Sequence, residues 1–360
     1  ISGTFPAIFF NFSSSEVDET RSTLISIDQW GTNPWQTMKG AFADCDQVTL
    51  AAIDSPDLSQ VTSLASMFRG AASFNGDIND WDVSNITDFG GLFSGANAFN
   101  QPLDNWDMSN AIRTVSMFRG ATAFNQDISS WDVSNVKEMS RMFQSARSFN
   151  QPLNTWDVGN VRSMNDLFNE AFAFNQPLNN WNVSRVENME RMFRRAGAFK
   201  QDLNDWDMSS VFSIEGMFQA NAGFNGAIGD WDVSNVVNMT STFSQAAIFN
   251  QDISNWDVSS VTNMSFMFSQ TNAFNQDISG WDVSNVRNMS AMFQRNVFNQ
   301  DIGNWDVSSV TNMSLMFNSN TSFNQDLTGW DVARVTNCAN FRRSSTLTPE
   351  NSPNFTNCTQ

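Results

Sequence analysis

The chain has 360 residues, with 37 acidic against 19 basic side chains and a formal charge of −18. That balance excludes the electrostatic footprint of a nucleic-acid binder, and the absence of histidine removes the commonest metal ligand and the side chain that titrates near neutrality. No run approaches the roughly 18 apolar residues that a spanning helix needs, so no direct membrane insertion is expected of this segment.

Residues 1–12 carry Phe5, Ile8, Phe9, Phe10 and Phe12, apolar enough to cover the open end of a stacked core. They lack the basic start and cleavage site of a signal peptide, so any export signal is expected outside the sequence. Residues 24–31 read as a strand. Trp35, Met38, Ala41, Phe42 and Cys45 then repeat, with altered residues, the spacing of the units that follow. Residues 1–56 are therefore predicted to be an N-terminal cap containing a degenerate first coil.

The array itself, 57–341, is marked by Trp81, Trp106, Trp131, Trp156, Trp181, Trp206, Trp231, Trp256, Trp281, Trp305 and Trp330, a step of 25 residues shortened once to 24. In the unit around Trp256, Phe249, Gln251 and Ile253 alternate with Asn250 and Asp252, which predicts a short strand. Val261, Met264, Met267 and Phe268 then fall at the spacing of one helical face, with Ser259 placed as N-cap and Ser84, Ser134, Ser234 and Ser284 as its equivalents. The expectation is an α/β repeat solenoid with one short parallel strand and one short helix per ~25-residue coil and capped ends. No coil of that size buries its apolar face alone, so the coils must stack. Residues 342–360, with Pro349, Pro353 and Cys358, read as the C-terminal cap.

The string from Trp256 to Met264, Trp-Asp-Val-Ser-Ser-Val-Thr-Asn-Met, and that from Phe274 to Trp281, Phe-Asn-Gln-Asp-Ile-Ser-Gly-Trp, closely resemble the BspA-like leucine-rich-repeat surface proteins. The resemblance covers about 57–341. It implies a leucine-rich-repeat-like fold and a secreted or cell-surface protein used in adhesion or in contact with a protein, matrix or glycan ligand. It implies no particular ligand.

Each repeated residue type has a structural and a functional reading. The Trp column is either core or an exposed row for stacking on sugars or peptides, and repetition of so large an apolar side chain in every coil favours core. The Asn after each Phe, from Asn75 and Asn100 to Asn324, suggests an amide ladder at a coil corner, broken at Lys200. Two acidic columns, which include Asp252, Asp277 and Asp301 and also Asp257, Asp282 and Asp306, suggest either calcium or carboxylates bonding backbone N–H groups. Calcium is the only cofactor the sequence suggests. Basic residues, among them Arg69, Arg119, Lys137, Arg141, Arg162, Arg191 and Arg287, fall mostly on the half expected to be helical.

Cys338 and Cys358 bracket the Pro-containing tail and are predicted to form a bridge, which fits an oxidising compartment, leaving Cys45 as a buried thiol. Glycosylation sequons stand at Asn11, Asn85, Asn182, Asn238, Asn263, Asn288, Asn312, Asn320, Asn354 and Asn357. The functional expectation is a non-catalytic extracellular solenoid for adhesion or ligand binding. The alternative, suggested by charge segregation and near-identical coils, is self-assembly with copies of itself into a fibre, sheath or surface layer.

Overall fold

A computed structural model describes residues 23–358; the expected covering role of residues 1–12 and the sequon at Asn11 lie outside them. The chain divides into two compact units, one ending at Trp181 and the other beginning at Asn182, and each repeats the same coil.

The half of the coil expected to be helical is a run of tight turns. In the second unit Met264, Phe266, Phe268 and Gln270 donate their N–H groups sideways to Asn288, Ser290, Met292 and Gln294 of the next coil, at 2.8–3.0 Å. The intervening Met267, Ser269 and Thr271 donate only three residues back, to Met264, Phe266 and Phe268. Phe266 and Gln270 adopt φ of 58° and 60°. An α-helix needs every φ near −60° and every N–H bonded four residues back, so alternate left-handed residues and sideways donors forbid it. The first unit does the same: Ser66, Phe68 and Gly70 donate to Gly90, Leu92 and Ser94. No helix forms in any coil among the described residues, and Ser84, Ser134, Ser234, Ser259 and Ser284 therefore cap none.

The expected strand also moves. Residues 249–253 form none; instead, within each unit, neighbouring coils make one parallel bridge seven positions after Trp, as between Asn238 and Asn263 and between Asn263 and Asn288. The only multi-residue strands named among the described residues belong to the first coil, where β1 (Ser26–Ile27) pairs in parallel with β2 (Thr49–Leu50).

Burial follows the period. Val261, Met264, Met267, Phe268, Phe274 and Ile278 are fully buried, as are their equivalents in neighbouring coils. Phe218, Phe243, Phe268 and Phe293 stack face to face from coil to coil, with centroids 5.7–5.9 Å apart and planes within 7°. Within a coil Phe268 lies 3.9 Å from Phe274. Aromatic rings of this size dominate core energetics, and a column of them fixes the coil register. The shortened coil keeps it: Phe298 still stacks 6.0 Å from Phe274 and 6.1 Å from Phe323.

The degenerate coil joins the stack through Gly40, Phe42 and Asp44, which donate to Ala65, Met67 and Arg69. At the other end Leu315, Phe317 and Ser319 donate to Ala339, Phe341 and Arg343. The tail then returns, with the Phe355 ring 5.0 Å from that of Phe341 and Cys358 disulfide-bonded to Cys338. Cys45 is buried.

Candidate interaction surface

One side of each coil, from the Asn after Phe to the residues after Trp, is joined to its neighbours through side chains. Between the coils of Trp256 and Trp281, the Asn275 N–H donates to Asn250 Oδ1 at 3.0 Å and Gln276 Nε2 to the Asn250 carbonyl at 2.9 Å. Trp281 Nε1 donates to the Ile253 carbonyl at 3.1 Å, and Asn285 Nδ2 to that of Ser259 at 2.8 Å. In the first unit Asn125, Gln126 and Trp131 bond back to Asn100 and Leu103 in the same way. Trp256 and Trp281 are only 3% and 4% exposed, so the column is core and presents no aromatic row to ligand. Lys200, where the Asn column breaks, is exposed.

The acidic columns belong to this same corner. Asp252, Asp257, Asp277, Asp282, Asp301 and Asp306 each accept, through Oδ1, the backbone N–H two residues ahead, at 2.9–3.0 Å. This is the Asx turn, a carboxylate standing in for a backbone acceptor. Hydrogen bonds from Ser254, Ser259, Ser279 and Ser308, side chain first and backbone second, hold Asp252, Asp257, Asp277 and Asp306 below the usual carboxylate range. Asp252 works against this at Asp277 by repulsion, and the hydrogen bonds win. Calcium needs six to eight oxygen ligands converging on one point. Among the described residues no group of three or more acidic or cysteine side chains is placed to hold a metal.

The opposite, turn side is joined through backbone. The residue six positions after each Trp donates its N–H to the carbonyl of its predecessor: in the second unit Phe212 to Glu187, Val237 to Phe212, Thr262 to Val237 and Arg287 to Thr262, at 2.9–3.0 Å. In the first unit Ile112, Lys137 and Arg162 donate to Thr87, Ile112 and Lys137. Where the column holds threonine the hydroxyl adds a second bond to the same carbonyl, as from Thr262 Oγ1 to Val237 and from Thr311 Oγ1 to Arg287, but the backbone bond forms whatever the residue, and the column is diverse: threonine, isoleucine, lysine, arginine, glutamate, phenylalanine and valine all occur in it. Lys137, Arg162, Glu187 and Arg287 are exposed, as are Ile112, Phe212 and Val237 at 40%, 47% and 42%. Four positions further on, Arg141, Asp166, Arg191 and Phe266 occupy left-handed backbone where other coils have Gly91 or Gly216.

Charged residues cross-link neighbouring coils on this side. Arg113 meets Glu138 at 2.9 Å, Arg141 meets Asp166 at 3.6 Å, and Arg191 meets Glu215 at 3.7 Å. Asp166 is buried, whereas Arg113 and Glu138 are both exposed, and a pair as exposed as theirs contributes about 0–1 kcal/mol, tuning the surface more than holding the fold. This variable face went unremarked in the sequence reading because the repeats were compared for what they share; aligning the coils and asking which column differs most would have found it.

The sequons separate by burial. Asn320 is fully buried, its Oδ1 accepting the Ser322 and Phe323 N–H groups, which leaves no room for a glycan. Asn238, Asn263, Asn288 and Asn312 are half-buried at the bridge positions, each bonded to the N–H two residues ahead. Asn85, Asn182, Asn354 and Asn357 are exposed.

A family profile described as "Mycoplasma protein of unknown function, DUF285" matches residues 36–151, 125–225, 198–297 and 278–357. No curated protein matches. Among solved structures, one of the Toll–Spatzle complex, described as a hub in Drosophila development and innate immunity, is similar at 14% identity over 88% of this chain and 45% of that one, with a TM-score of 0.31. Another, the leucine-rich-repeat ectodomain of the receptor kinase GASSHO1/SCHENGEN3 from Arabidopsis thaliana in complex with CASPARIAN STRIP INTEGRITY FACTOR 2, is similar at 10% identity over 87% and 50%, with a TM-score of 0.18. The chain spans about half the length of these structures.

Proposed function

Starting from the fact that the chain belongs to the DUF285 family, we propose that it is a non-catalytic surface solenoid whose variable turn face binds a protein, matrix or glycan partner. One observation carries this reading: at the corner the bonds between neighbouring coils depend on particular side chains, whereas the column six positions after Trp is joined by backbone bonds that form with any of the residues found there. A side chain that makes a lateral bond must recur in every coil. Where a backbone bond carries the link the side chain can change without breaking it, and that column does change, from Thr87 through Ile112, Lys137 and Phe212 to Arg287. Diversity held on a rigid repetitive frame is how solenoids build extended binding surfaces.

The extracellular setting is supported by the Cys338–Cys358 bridge, a bond that persists in oxidising compartments, and by the resemblance to BspA-like surface proteins. The absence of histidine and the commitment of the aspartates to turns speak against acid–base catalysis.

The test has two arms. An antibody against the chain should label intact producing cells without permeabilisation. The purified chain should bind members of a matrix-protein and glycan array, and should lose that binding when Ile112, Lys137, Arg162, Phe212, Val237 and Arg287 are all replaced by threonine. Labelling only after permeabilisation, or array binding indifferent to the threonine column, would discard the reading.

A further inference from the structure

In the second unit the variable column is ordered chemically as well as exposed. Running from coil to coil it presents Glu187, Phe212, Val237, Thr262 and Arg287, held in succession by the backbone bonds that link each to the next. The outer two are exposed and of opposite charge. Between them Phe212 and Val237 form a two-coil apolar strip at 47% and 42% exposure. Equivalent positions elsewhere carry Thr87, Thr311 and Thr336 with no cost to the ladder, so neither apolar side chain is needed for stacking.

Resting on the interaction reading above, we infer that this strip binds an extended protein segment that lies along the column. The segment offers a lysine or arginine to Glu187, one or two apolar side chains to Phe212 and Val237, and an aspartate or glutamate to Arg287. Four coil steps of about 4.8 Å separate the charged ends by roughly 19 Å. An extended chain advancing about 3.3 Å per residue covers that span in about six residues. The backbone groups of the column are already spent on coil-to-coil bonds, so recognition is by side chain, and the order of charges fixes the direction of the bound segment. An aromatic anchor beside an aliphatic one, ringed by charge, is the composition that concentrates binding energy at protein interfaces.

The experiment is peptide-display selection from a random library against the full chain, with F212T/V237T for comparison and circular dichroism and urea melts to check that the variant folds. The expected winners carry a basic and an acidic residue about six apart around an apolar pair, and synthetic versions of them lose roughly 30-fold or more in affinity for F212T/V237T. The charge-swapped E187K/R287E should prefer the same peptides with lysine and glutamate exchanged. Peptides that bind wild type and F212T/V237T equally, or a selection with no enrichment for this order, would overturn the strip as a site. The wider interaction reading is tested separately, since array binding lost with the threonine column would stand even if peptides ignored Phe212 and Val237.

Discussion

The Asn-to-Trp corner and the turn face of the same coil are both hydrogen-bonded to neighbouring coils, yet the corner is nearly invariant and the exposed column of the turn face is diverse. The difference lies in which atoms make the lateral bonds. At the corner Asn250 Oδ1, Gln276 Nε2 and Trp281 Nε1 are the bonding atoms, so replacing the side chain removes the bond. On the turn face Phe212, Val237, Thr262 and Arg287 donate through backbone, which every residue but proline supplies. The exposed column six positions after Trp is thus free to vary, while the corner and the buried Met and Phe columns are not.

The strongest way to break this comparison is at the corner. Trp256→Ala removes a side chain that is 3% exposed, stacks between Trp231 and Trp281, and donates Nε1 to the Ile228 carbonyl at 3.1 Å. The expected loss is about 3–5 kcal/mol in a urea melt. Asn250→Ala, at the same corner, strips the acceptor from the Asn275 N–H and should cost about 1 kcal/mol, because that N–H is only partly shielded from water. Equal tolerance of alanine at Asn250 and at Arg287 would mean that the side chains of the corner do not set its constancy.

The period, the core columns, the amide ladder and the Cys338–Cys358 pairing were legible in the sequence because each is a statement about which residues recur or lie near one another. The backbone was not. Val261, Met264, Met267 and Phe268 satisfy a helical spacing, but i to i+3 turns that alternate with sideways donors bury the same residues. The deciding feature is left-handed φ at two places per coil, and those places hold residues such as Arg141, Asp166, Glu170 and Phe266 more often than glycine. Gly40, Gly70, Gly91, Gly95, Gly120 and Gly216 are the glycines at these places, and glycine inside a helical spacing is the signal that points to them. The strand was misplaced for a related reason. Alternation from Phe249 to Ile253 arises because Asn and Gln side chains, rather than strand backbone, bridge the coils there.

A gentler probe of the corner is acid. The serine hydroxyls and N–H groups that bond Asp107, Asp132, Asp257 and Asp306 hold these carboxyls below their ordinary value of 3.8, outweighing repulsion from Asp107 at Asp132. A group whose pKa is lower in the folded chain contributes stability that is present above the unfolded value and lost as pH falls through the folded one. The melting temperature should therefore be flat between pH 7 and pH 5 and fall below pH 4. The carboxylates are solvent-exposed, so the decline should be shallow. Rising stability on acidification would show that relief of the −18 net charge, and not the Asx turns, governs this side of the coil.

The smallest effect is expected where variety is greatest. Arg287→Thr and Lys137→Thr place on the turn face the residue that Thr87, Thr311 and Thr336 already supply at equivalent positions. Both arginine and lysine are exposed there, and the bonds that hold their coils, the Arg287 N–H to Thr262 and the Lys137 N–H to Ile112, are backbone bonds that the substitution preserves. Each variant should melt within about 0.5 kcal/mol of the parent, in line with substitutions that touch no buried contact. Double variants should add, since no shared side-chain network couples these two positions. A loss of more than about 1 kcal/mol at either position would mean that the turn-face side chains do bind coil to coil, and the division between a structural side and a recognition side would fail where it is most exposed to measurement.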